Sequence, residues 1–182
     1  MRLASRALTI AAVLATSAAG SAGAAVNVFL CADPDILGDS RDADHVGCSD
    51  AISVAQEVVV DPGAAVPGTG GGSLNCGEAV KPIVVSKLID SASAPYLLHV
   101  LQFRRLRAVE ILVRRVGPEP GPDFLKLSLL DTAVIGVQQD VTGAGDPIER
   151  ITFLPRTIDW SFTPQSPNGA PGTPVQARLT CR

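Results

Sequence analysis

Along most of the chain, apolar and polar residues alternate with a period of two, which is the pattern of half-buried β-strands. VNVFLC, Val26 to Cys31, opens it, and AISVAQEVVV, Ala51 to Val60, resumes it after a polar loop rich in aspartate. KPIVVSKL, Lys81 to Leu88, returns to the pattern with Ile83, Val84 and Val85. RAVEILVRR, Arg107 to Arg115, sets Val109, Ile111 and Val113 against Glu110, Leu112 and Arg114, so one face is apolar and the other mostly charged. FLKLSLLD puts Leu125, Leu127 and Leu129 on one side and Phe124, Lys126 and Ser128 on the other. That strand continues or bends through TAVIGVQQD, where Gly136 suits a bulge. Past the turn TGAGDP, IERITFLP and RTIDWSFTPQ read as two more strands, and SPNGAPGTPVQARLTCR reads as loop up to Cys181.

One segment has helical spacing. In SASAPYLLHVLQFRRL, Ser93 suits an N-cap and Pro95 falls in the first turn. Leu97, Leu98, Leu101 and Leu106 then form a stripe expected to pack on the sheet. Between the second and third strands, Asp61 to Ala79 is so rich in glycine and proline that it offers almost nothing to bury and is costly to order. It reads as a long loop. Seven or so short strands, turn signals and a single helix predict an α+β, mainly β fold: an antiparallel barrel or sandwich with one flanking α-helix. A βαβ rhythm is absent.

The first 24 residues change the picture of where this protein works. Arg2 and Arg6, an apolar run from Ala7 to Ala15 and the small residues Ala22-Gly23-Ala24 follow the plan of a secretory signal peptide. The expected mature chain begins near Ala25, holds one domain from 25 to 165 and ends in a tail from 166 to 182. Its expected place is the periplasm or the outside. No other segment approaches the roughly 20 apolar residues that a membrane-spanning helix requires. Loss of the two leader arginines leaves 13 basic residues against 18 acidic ones, which argues against nucleic acid as a partner. Four cysteines, Cys31, Cys48, Cys76 and Cys181, remain in a chain that leaves the reducing cytosol, and disulfides are the expected state. Three pairings are open to them. The favoured one joins Cys31 to Cys48 and Cys76 to Cys181.

Candidate chemistry is sparse. Asp33, Asp35, Gly38 and Asp44 fall at positions one, three, six and twelve of an EF-hand-like loop, but Leu37 stands at position five and Asp replaces Glu at twelve. A solvated acidic loop is the simpler reading, and no metal or other cofactor is expected. His45 and His99 lack a motif that would make either a general base, and His99 reads as a packing or surface residue. GTGGGS lacks the lysine and following helix of a phosphate loop. Arg104, Arg105, Arg107, Arg114 and Arg115 read as a charged strand face or inter-subunit contact with acidic neighbours, and Trp160 as a core anchor. No catalytic constellation can be assembled.

The order of these elements, with certain words in them, resembles the Hcp family, the ring-forming tube protein of type VI secretion systems. VFLCADPDILGDSRDADHVGCSDAISV is similar to the family's opening, with Gly38, Ser40, Asp44 and His45 at the matching places. Asp90, Ser91, Ser93, Pro95 and Leu97 resemble the start of the family's helix. Phe124 to Leu129, Glu149 to Leu154 and Ile158 to Gln165 resemble its closing strands. The resemblance implies a small antiparallel barrel of the Hcp type that builds homohexameric rings, stacks them into tubes and carries small secreted effector proteins, with no catalytic residues. It assigns contact with neighbouring subunits to the loop from Asp61 to Ala79, including Gly70, Gly71 and Gly72. The leader and the cysteines set this chain apart from typical members. The other reading is a monomeric, exported binding module, at the cell surface or in the periplasm, that retains only the barrel.

Overall fold

The computed structural model describes residues 25–59, 81–117, 121–143, 145–166 and 169–180. Seven strands and one helix make it up: β1 (Val26–Ala32), β2 (Ser49–Ala55), β3 (Ile83–Leu88), α1 (Ser93–Leu101), β4 (Arg105–Arg115), β5 (Asp123–Asp140), β6 (Ile148–Phe162) and β7 (Val175–Thr180). The expected leader and the loop from Asp61 to Ala79 lie outside the described residues.

All pairings are antiparallel, in the order β3-β2-β1-β4-β5-β6-β7, and a further pairing of β3 with β6 closes six of the strands into a barrel. β3 takes only the first part of β6, from Ile83↔Phe153 to Leu88↔Ile148. The same edge farther along carries β7, from Thr157↔Thr180 to Phe162↔Val175. Pro155, which has no N–H to give to a ladder, stands between the two stretches. The tail read as loop therefore contains a strand. Its alternation is weak because Val175 to Arg178 are all exposed.

IERITFLP and RTIDWSFTPQ are one strand, and the reason is a corner shared by three strands. Leu106, Thr132 and Pro155 are neighbours on β4, β5 and β6 and are all buried; Val109, Leu129 and Ile158 form the next buried row. Two residues rather than one separate these rows on every strand: Arg107 and Ala108, Leu130 and Asp131, Arg156 and Thr157. Alternation slips at the same level in all three, so the pairing survives while the inward face changes phase. Asp131 takes a left-handed φ of 47° there, and its carboxylate is held by Arg105 and Arg156. Asp33, just past β1, accepts hydrogen bonds from the backbone N–H groups of Arg107 and Ala108 at 2.5 and 3.1 Å. The bulge expected at Gly136 is present as a register shift between Val134 and Gly136.

The barrel core is aliphatic, built from Leu30, Ile83, Val85, Val109, Ile111, Leu129, Ile151 and Ile158, with Phe153 fully buried. The helix reverses the expectation for its leucines. Ala92, Ser93, Tyr96 and His99 face inward, while Leu97, Leu98 and Leu101 are exposed. Tyr96 meets Phe153 edge-on at 5.8 Å between ring centres, and burial pushes its hydroxyl well above the ordinary tyrosine range. Ser93 is not the N-cap; Ala92 is, and it makes no side-chain cap bond. Leu106 is buried, but on β4 rather than on the helix.

Candidate assembly surfaces

Two buried polar networks fix the ends of the barrel. In the first, Lys87 and Glu149 face each other across the β3–β6 seam. Both are fully buried, and their charged atoms are 2.6 Å apart. Lys87 Nζ also donates to Asp90 Oδ1 at 2.5 Å, and Ser93 Oγ donates to Glu149 Oε1 at 2.6 Å. Gln139 Nε2 reaches the other carboxylate oxygen at 3.2 Å. Every charge is paired and hydrogen-bonded, as burial demands. Asp90 and Ser93 of the helix-start motif thus tie α1 to the closing seam, while the N–H of Ser91 donates to Asp39 Oδ2 of the loop between β1 and β2 at 3.1 Å. That bonding with Ser91 holds the Asp39 carboxyl below the ordinary range.

The second network lies under the loop between β1 and β2. Cys31 and Cys48 form a disulfide that closes this loop, as expected; Cys76 and Cys181 lie outside the described residues. His45 is buried, stacked on Phe29 with ring centres 3.9 Å apart. Its Nδ1 is 2.8 Å from Asp42 Oδ1 and its Nε2 is 3.0 Å from Asp123 Oδ2. Arg114, also buried, bonds Asp42, Asp44 and Asp123. Gly38 belongs here for a steric reason, because a Cβ on it would stand 2.3 Å from Ser49 Oγ, and Ser40 Oγ donates to Asp50 at 2.8 Å.

The acidic loop does not converge as a chelating loop would. Asp33 caps the corner, Asp44 faces Arg114, and among the described residues no group of three or more ligating side chains could hold a metal ion. The arginines divide. Arg114 is structural, Arg105 and Arg107 pair with Asp131 and Asp33, and Arg115 lies over the Phe124 ring at 4.6 Å. His99 packs in the core, with Nδ1 3.3 Å from the Arg104 carbonyl.

Among the described residues, two apolar surfaces stand exposed. One is the outer face of α1 and the turn after it, where Leu98 is 51 %, Leu101 73 % and Phe103 92 % exposed. The other follows from the branching of β6. Beyond Pro155 the edge of β6 carries β7 in place of β3, and Val58, past the end of β2, stands near it. Val58, Ile158, Trp160, Ala177 and Leu179 line the resulting groove, which has a volume of about 400 Å³. Trp160 packs against the core on one side and stacks with Phe162 at 6.0 Å, so it is an anchor that also shows a face to the groove. Arg178, which also lines the groove, grips Asp159 through two bonds of 2.5 and 2.7 Å. Those bonds hold the Asp159 carboxyl below the ordinary range. Neither surface was read from the sequence. The leucine stripe expected to pack on the sheet faces outward instead, and the groove depends on where β3 stops along β6.

A six-stranded antiparallel barrel, closed by the β3–β6 pairing, with an external helix and a seventh strand on the edge of β6 is the architecture these residues build. Residues 29–162 match the family model described as "Type VI secretion system effector, Hcp"; the chain belongs to the Hcp family. A solved structure described as a type six secretion system protein has a TM-score of 0.72 at 20 % identity, covering 86 % of this chain and 96 % of that one. Hcp1 of Salmonella typhimurium follows at 0.66 and 18 %, covering 86 % and 94 %. The secreted protein Hcp3 of Pseudomonas aeruginosa gives 0.60 and 15 %, covering 88 % and 99 %. No curated protein matches this sequence.

Proposed function

We propose that this protein is a non-enzymatic ring or tube subunit of the Hcp type, self-assembling head to tail into a homohexamer. The observation that carries the reading is the family match over residues 29–162. The fold supplies what such a ring needs: a cyclic head-to-tail contact joins two different surfaces of each subunit, and the barrel exposes two separate apolar ones, on α1 and in the β6–β7 groove. The loop from Asp61 to Ala79 is proposed to contact neighbouring subunits, and small secreted effector proteins are the proposed cargo.

The leader is proposed to export the chain, with a mature N-terminus near Ala25, and Cys76 and Cys181 are proposed to pair once outside the cytosol. N-terminal sequencing of the exported protein checks the first point and peptide mapping without reductant the second. The deciding experiment is the native mass of the oxidised mature protein, followed by negative-stain imaging. A six-fold ring is the expected result. A monomer at high concentration overturns the assembly reading in favour of a binding module on the barrel. Deleting residues 61–79 is expected to abolish rings and leave the fold intact.

A further inference from the structure

The loop between β1 and β2 is held by a residue whose bonding has a proton count that can be read from geometry. Carboxylate oxygens accept hydrogen bonds and do not donate them. His45 has one such oxygen on each ring nitrogen, Asp42 Oδ1 at 2.8 Å and Asp123 Oδ2 at 3.0 Å. A neutral imidazole carries one N–H and satisfies one of these contacts; both are satisfied only when both nitrogens carry hydrogen. Asp42 and Asp44 come from the loop and Asp123 from the start of β5, and all three pair with Arg114 of β4. The fourth neighbour, Phe29 of β1, presents the face of its ring. The bond from His45 also holds the Asp42 carboxyl below its ordinary range.

We propose that the loop between β1 and β2 is a proton-dependent latch in which doubly protonated His45 ties Asp42 of the loop to Asp123 at the start of β5. Removing the proton turns one nitrogen lone pair toward a carboxylate in a buried site, so one of the two ties must break. The native state then holds a proton that the open state releases, and the latch weakens as pH rises. Arg114 and the Cys31–Cys48 bond keep the loop attached, so the release is local. The regulated element is the contact between this loop and the β4–β5 turn.

The test uses the full mature protein with its disulfides oxidised. Nitrogen-15 spectra of the imidazole rings are recorded through a pH series, and backbone amide exchange of residues 42–48 is measured over the same series and corrected for intrinsic exchange. With only two histidines in the sequence, the rings are assigned by a His99→Gln variant. Expected are two protonated nitrogens on His45 at neutral pH, and about tenfold faster corrected exchange in the loop between about pH 6 and 9. His45→Phe keeps the stack on Phe29 without a proton and is expected to lose that pH dependence. A native His45 with one N–H at neutral pH, or the same pH response in His45→Phe, overturns the proposal. If His45→Phe fails to fold, the wild-type ring spectrum decides alone.

Discussion

The two halves of β6 are made of similar residues and do different work. From Ile148 to Phe153 the strand lies between β5 and β3, and Glu149, Ile151 and Phe153 are completely enclosed. From Thr157 to Phe162 it lies between β5 and β7, and Trp160 and Phe162 on the corresponding face keep part of their surface in water. Both halves alternate, and both are rich in large apolar residues. What separates them is which strand sits on the far edge: β3 curves the sheet shut, whereas β7 carries its apolar side into the open. A strand can thus serve as core for half its length and as an interaction surface for the rest, with one proline at the change of partner.

That contrast can be tested residue by residue. Phe153→Ala in the closed half should destabilise the barrel by about 3–5 kcal/mol, the usual cost of removing a buried aromatic ring, as measured by denaturant unfolding. Lys87→Met should cost a similar amount, about 3–5 kcal/mol, because Glu149 would be left buried without its counter-charge. Adding Glu149→Gln should restore much of that loss; a double variant no more stable than the single one would show that the pair is not the origin. Trp160→Ala in the flared half should cost less, about 1–2 kcal/mol, yet shift the native mass toward monomer. A stability loss as large as that of Phe153→Ala would erase the distinction between the halves. The smallest effect belongs to Asp159→Asn in the exposed pair with Arg178. The folded-state pKa of Asp159 is depressed by Arg178, so its contribution is present above the unfolded value and is lost as pH falls below roughly 4. Amide exchange in β7 should therefore quicken in acid for the wild type and be nearly independent of acidification for Asp159→Asn.

The barrel was largely legible because period-two alternation reports burial on one face directly, and Leu125, Leu127 and Leu129 fall where that pattern puts them. It failed where a tertiary event changed the phase. At Pro155 to Thr157 alternation slips by one, and a single sequence cannot distinguish a strand end from a corner in a continuous strand. The helix failed for a related reason. Tyr96 and His99 compete with Leu97, Leu98 and Leu101 for the inward face, and the Lys87–Glu149 pair beneath favours the side carrying Ser93. Hydrophobicity alone picks the leucines. The pairing of Cys31 with Cys48 was favoured, among three left open, by their place around one loop, whereas the partners of His45 were not legible, since Asp123 is 78 residues away.

The closing seam also sets the order in which the molecule can be made. β3 meets β6 across roughly 60 to 70 residues of chain, and contacts of that separation are slow to form because a long loop must close first. Cys31 and Cys48 are only 17 residues apart and can meet as soon as both have emerged. A chain made from its N-terminus therefore presents β3, paired on one side with β2, with its other edge open until Ile151 and Phe153 arrive. Its most vulnerable moment comes during that wait, when the first loop is already stapled and the barrel is still open.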